Sequence, residues 1–133
     1  MDEKNKKKLI LDTNFLLIPG QFMVDIFTEL EKVMQEPYEL CMVEKSLDEL
    51  KKLTLTGKEK DRFAAKLAVV LIGQKDLKRL PCSKGDNSVD DIIVSYAGKD
   101  TFVATEDRIL RRRLKEKGSG VIGLRQGKYL VVI

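Results

Sequence analysis

The chain has 133 residues, of which 43% are hydrophobic and 35% charged, a size and balance that suit a single domain over residues 1–133 with one core and no second domain. It contains no histidine and two cysteines, Cys41 and Cys82, which excludes imidazole acid–base chemistry and a zinc site. Both cysteines read as buried small apolar residues, because a reducing compartment disfavours a disulfide between them.

The amino-terminal stretch "MDEKNKKK" lacks the apolar core of a signal peptide, and no run reaches the roughly 18 apolar residues of a membrane-spanning helix. A cytoplasmic protein without membrane contact is expected. The formal net charge is +4, with Lys4, Lys6, Lys7 and Lys8 crowding the start and Arg111, Arg112, Arg113, Lys115 and Lys117 a late segment. These runs are either solvated faces or the footprint of a polyanion.

Residues 9–11 form a short, wholly apolar run of the kind found in a strand buried on both faces. From 22 to 34, Phe22, Ile26, Phe27, Leu30 and Val33 recur at helical spacing, and Pro37 closes the segment. Residues 38–43 read as a second strand, 46–55 as a helix, Gly57 as a turn and 61–74 as a longer helix. A short strand is expected within 77–82. Residues 88–98 read as a helix, the β-branched stretch 101–105 as a strand, and 107–117 as a charged helix stopped by Gly118. Two final strands, 121–124 and 128–133, are joined by a turn at "RQGK". Alternating elements of these lengths predict an α/β domain with a mostly parallel central sheet flanked by helices, in which ligands bind outside the carboxyl ends of the strands.

Acidic residues recur at those ends. Asp12 follows the first strand and either caps the next turn or points into the crevice. Glu106 and Asp107 follow the strand "TFVAT" in the same way. In "SVDDIIVSYAG" the apolar face is Val89, Ile92, Ile93 and Tyr96; a projection at about 100° per residue puts Asp90 on its border and Asp91 nearly opposite. Ser88 and Asp91 also have capping-box spacing, so Asp90 is the better site candidate. In "SLDELKKL" the same projection turns Leu47, Leu50 and Leu53 inward, Asp48 to solvent, and Glu49 to the edge. Glu49 is either a site residue or the partner of Ser46 in a second capping box. Several carboxylates in one crevice repel each other unless a cation neutralises them, and an all-oxygen ligand set suits a hard ion such as Mg²⁺ or Mn²⁺. An acidic crevice in a basic protein fits a metal-bridged phosphodiester.

"LILDTNFLL", "SLDELKKL", "SVDDIIVSYA" and "FVATEDRILRRRL" follow in the order and approximate spacing of the PIN domain, a family of metal-dependent ribonucleases, which the chain resembles over almost its whole length. Within the family it looks closest to the branch that includes the small-subunit processome's ribosomal RNA-processing endonuclease and its archaeal relatives, on "LDTNFLLIP", "DDIIV", "VATEDRILRRRL" and "RQGKYL".

The resemblance implies a Rossmann-like fold and four metal-binding, catalytic acids: Asp12, Glu49, Asp90 and Asp107. Asn14 is placed to hydrogen-bond the carboxylates or water, and Thr105 precedes the last acid in a supporting role. One or two Mg²⁺ or Mn²⁺ ions would activate a water against a phosphodiester of single-stranded or locally unpaired RNA. Arg108, Arg111 and Arg112 are candidate phosphate contacts, each with a solvated helix face as its alternative. The expected function is a metal-dependent endoribonuclease of ribosomal RNA processing. The alternatives are a non-cleaving RNA-binding or ribosome-assembly platform and a toxin-type ribonuclease of a toxin–antitoxin pair. Partners would be RNA, ribosomal RNA in the first case, with a ribosome-assembly protein or an antitoxin; a homodimer is left open.

Overall fold

A computed structural model of the chain describes residues 6–82 and 88–133. In chain order it contains β1 (Lys7–Leu11), α1 (Thr13–Leu16), α2 (Ile18–Phe22), α3 (Ile26–Val33), β2 (Tyr38–Val43), α4 (Glu44–Thr56), α5 (Glu59–Gln74), β3 (Lys78–Leu80), α6 (Val89–Tyr96), β4 (Thr101–Ala104), α7 (Arg108–Glu116), β5 (Gly120–Arg125) and β6 (Tyr129–Val132). The strands form one sheet in the order β3-β2-β1-β4-β5-β6. Neighbouring strands are parallel except β5 and β6, which form an antiparallel hairpin.

The apolar run of β1 is buried on both sides because helices cover both faces of the sheet. Leu9 and Leu11 pack with Phe15, Leu30, Leu50 and Ala68 from α1, α3, α4 and α5. Ile10 points the other way, onto Ile92, Ile93, Leu110 and Leu114 of α6 and α7. All three strand residues are fully buried, and such burial stabilises by about 1.5–3 kcal/mol per side chain. Cys41, on β2, is buried as expected, and burial pushes its thiol pKa up to about 11; Cys82 is half-buried against the second cluster. Both are free thiols. Among the described residues, no helix is long and apolar enough to cross a membrane.

The expected helix over 22–34 is corrected. Two short helices precede it, α2 opening with Pro19 near its start and ending at Met23, whose φ of 58° is left-handed. The chain then restarts at Asp25, which caps α3 by accepting from the Thr28 amide at 3.2 Å and the Thr28 hydroxyl at 2.7 Å. Ile26, Phe27 and Leu30 are buried as the spacing predicts, whereas Phe22 ends α2 and is 51% exposed. Helices of four or five residues are too short to display a period, and they persist through tertiary packing. Gly20 shows how close that packing is: a Cβ there would lie 2.5 Å from the Ala64 Cα of α5. Gly20→Val is therefore expected to lower stability by about 1–3 kcal/mol through overpacking, read as a reduced urea midpoint with an unchanged denaturant slope.

Candidate active site

In this strand order the chain reverses direction of progress across the sheet between β1 and β4, and a crevice opens at their carboxyl ends. The two strands pair in parallel with Leu11 beside Ala104, so the residues that follow, Asp12 and Thr105, emerge side by side. The Asp12 amide still donates to the Ala104 carbonyl at 3.0 Å, and the Thr105 amide to the Ile122 carbonyl at 3.0 Å. The Asp12 carboxylate accepts from the Thr13 amide through Oδ1 at 2.8 Å and from the Thr105 hydroxyl through Oδ2 at 2.8 Å. Asp12 thus caps α1 and lines the crevice at once. Burial, leaving Asp12 4% exposed, pushes its pKa from 3.8 up to about 6. The two hydrogen bonds pull against that shift, and the nearby Asp90 and Asp107 carboxylates add to it.

The other three acids arrive from separate elements. Asp107 sits just past β4 and caps α7, accepting from the Leu110 amide at 3.0 Å, while its own amide donates to Thr105 Oγ1 at 3.1 Å. Asp90 lies in the first turn of α6, half-buried, its pKa raised by burial first and by Asp107 second, against the pull of Arg113. Asp91 is exposed and pairs with Arg113 at 2.9 Å; its amide donates to the capping Ser88 hydroxyl at 3.2 Å. Glu49 stands in the second turn of α4, and the capping alternative for it is corrected. The helix begins at Glu44 after the uncapped Val43, so Ser46 is already inside the first turn and fully buried. Thr13 Oγ1 instead lies 2.7 Å from Ser46 Oγ and 2.8 Å from Glu49 Oε1.

Asp12, Glu49, Asp90 and Asp107 line one cavity of about 360 Å³, together with Thr13 and Asn14. The side chain of Asn14 makes no hydrogen bond to any of the four acids. Among the described residues, no three acids converge closely enough to form a finished metal cage; the carboxylates stand around the walls. The chemistry of the donor set still fits a hard divalent cation, since every charged donor is a carboxylate oxygen and two of the four hold their protons more tightly than a free carboxylate.

Of the candidate phosphate contacts, Arg108 and Arg112 are exposed on α7, but Arg111 turns back on the site. Its Nε donates to the Thr105 carbonyl at 3.1 Å and its Nη2 to Glu106 at 3.0 Å, and the same Glu106 oxygen accepts from the Leu124 amide at 2.7 Å. A Cβ on Gly123 would collide with that guanidinium. Arg111 therefore braces the turn that carries Thr105 and Asp107. Neither this brace nor the Thr13–Ser46 contact was legible in sequence, because both join residues on different elements; the i to i+3 pairing of Ser46 with Glu49 was a real signal with a different partner behind it. Of the amino-terminal lysines, Lys4 lies outside the described residues, and Lys7 is engaged by Glu36 and Asp100 at 3.6 and 3.5 Å.

Fold and crevice together define a Rossmann-like α/β domain with an acid-lined site at its topological switch point. The chain belongs to the PIN-like domain family, whose model matches residues 9–127. It is 30% identical over 131 residues to Ribonuclease VapC4 of Methanocaldococcus jannaschii, with 94% of this chain and 95% of that protein covered. Among solved structures it is similar to the PIN domain endonuclease Utp24, with a TM-score of 0.77, 26% identity, and 94% and 90% of the two chains covered. A domain of a functionally unknown protein from Methanocaldococcus jannaschii shares the fold, with a TM-score of 0.57, 18% identity, and 90% and 91% coverage.

The raised pKa of Asp12 has a sign that stability measurements can check. Between 3.8 and about 6 the folded state holds this proton more often than the unfolded state, so ionising Asp12 costs stability as pH rises through that window. In chelator, Asp12→Asn is expected to be more stable than the natural chain at pH 7 by about 1–3 kcal/mol, with the gain vanishing near pH 4. Urea unfolding at both pH values reads the difference.

Proposed function

We propose that the chain is a divalent-metal-dependent endoribonuclease acting in the cytoplasm on single-stranded or locally unpaired RNA, with ribosomal RNA as its target. The observation that carries this reading is the assembly of Asp12, Glu49, Asp90 and Asp107 from four elements around one cavity at the switch point. The similarity to a ribonuclease and to an endonuclease along nearly the whole chain supports it.

Asp12, Glu49, Asp90 and Asp107 would hold one or two Mg²⁺ or Mn²⁺ ions. Bound there, such an ion supplies charge neutralisation at the phosphodiester and an acidified water. The residues of the chain do the rest. Thr105 and the Thr13 amide fix both oxygens of Asp12, so that this carboxylate keeps one orientation although like charges surround it. Asp107 is anchored at the start of α7 by the Leu110 amide. Asn14 stands on the wall as a neutral polar group for substrate or water. Arg108 and Arg112, exposed on the helix that Asp107 caps, would receive the flanking phosphates.

A second enzymatic reading keeps the chemistry and changes the biology. The end-to-end match with a ribonuclease of the same length also suits a stand-alone toxin-type enzyme held by an antitoxin, and an adjacent antitoxin gene would favour it. A non-cleaving RNA platform is the third reading.

Incubating the purified chain with a structured ribosomal RNA fragment and Mn²⁺ tests the main reading. Cleavage is expected, falling by more than about a hundredfold in Asp12→Asn and abolished by chelator. An unchanged rate in that variant sinks the assignment, and absence of both cleavage and Mn²⁺ binding favours the platform. Replacing Arg108 and Arg112 together by alanine is expected to weaken RNA binding regardless of sequence and to lower the slope of log affinity against log salt by about two, one per lost phosphate contact. An unaltered slope removes both from the interface.

A further inference from the structure

We infer that Thr13 is a positioning residue for the proposed reaction, its hydroxyl holding the Glu49 carboxylate against the cavity while the buried Ser46 braces it. This inference rests on the metal-nuclease reading and adds to it a residue that none of the four acids accounts for.

Glu49 differs from its three partners in how it is held. Asp12 is buried and hydrogen-bonded through both oxygens, Asp107 is fixed by the amides of a helix start, and Asp90 is half-buried at the first turn of α6. Glu49 stands on an exposed position of α4 with a longer and more flexible side chain. Confining it to one rotamer costs conformational entropy that exposure alone does not repay. Thr13 Oγ1, 2.8 Å from Glu49 Oε1, supplies a hydrogen bond to a charged acceptor, the stronger kind.

Thr13 is itself well fixed. Its backbone amide is committed to Asp12, its β-branched side chain has few rotamers, and Ser46, fully exposed to protein and 0% to solvent, lies 2.7 Å from its hydroxyl. Residue 13 therefore touches two acids at once, Asp12 through the main chain and Glu49 through the side chain, and ties the carboxyl end of β1 to α4. On the opposite side Thr105 does the same for Asp12 and Asp107. Two threonine hydroxyls thus link three of the four carboxylates into one row of hydrogen bonds.

The test is a double-mutant cycle read by Mn²⁺ binding in calorimetry, using the full chain. Because Thr13→Val deprives the buried Ser46 hydroxyl of a partner, Ser46→Ala is present in every member. Thr13→Val is expected to weaken Mn²⁺ binding about tenfold, as loss of an outer hydrogen bond to a metal ligand does, and Thr13→Ser to recover most of that loss. In a Glu49→Ala background Thr13→Val is expected to change nothing further. An equal loss with and without Glu49 overturns the inference, because Thr13 would then act on the fold at large. A readout without metal runs beside it: the Glu49 side chain is expected to hold one rotamer in the chain with Thr13 and to average over several in Thr13→Val, by carboxyl-carbon and side-chain coupling measurements. Retention of one rotamer in that variant also overturns it. Uptake of no Mn²⁺ by the natural chain overturns the nuclease reading and this role of Thr13 with it, whereas tight Mn²⁺ uptake that is indifferent to Thr13 overturns the role alone.

Discussion

The parallel pairing of β1 with β4 is the constraint on which the site depends. Leu11 beside Ala104 places Asp12 and Thr105 next to each other at the one point where neighbouring strands send their connections to opposite sides of the sheet. A slip of one residue would turn the Asp12 side chain to the other face and separate it from the Thr105 hydroxyl. The register is held by burial on both faces: Leu9 and Leu11 belong to one cluster, Ile10 to the other, and a slipped strand would exchange them. The core therefore sets the position of an acid that itself belongs to neither cluster.

That position is costly for the acid. A carboxylate 4% exposed, with two more acids near it, is held against its preference for water, and the shift of its pKa to about 6 measures that opposition. Two hydrogen bonds offset part of the cost without removing it. Such tension is what a cation would relieve, and it is a physical signature of a site rather than of a structural acid. Asp91 shows the contrast one residue from Asp90: exposed, paired with Arg113, it meets no such opposition.

Hydroxyls and one guanidinium carry the geometry between elements. Thr105 joins β1 to the turn after β4, Thr13 joins that same strand end to α4, and Arg111 with Glu106 ties the turn to β5 across Gly123. The carboxylates are thus supported by neutral donors and by an ion pair facing away from the cavity, and the exposed Arg108 and Arg112 are left to the solvent side.

Sequence by itself determined the α/β alternation, the strands at 9–11 and 38–43, and the acids at strand ends, because burial on two faces and the 3.6-residue period leave local traces. The helical projection also separated half-buried Asp90 from exposed Asp91, a distinction that depends on one helix alone. The two short helices after Asp12 escaped, since one turn has no period and Met23 breaks the chain with a left-handed φ of 58°. Tertiary structure decided which partner each polar group takes. Ser46 had capping-box spacing with Glu49 yet meets Thr13, and Arg111 stood in a solvated run yet reaches the Thr105 carbonyl. Those contacts span 33 residues in one case, and hydrogen bonds between elements depend on sheet order and register, which no local pattern encodes.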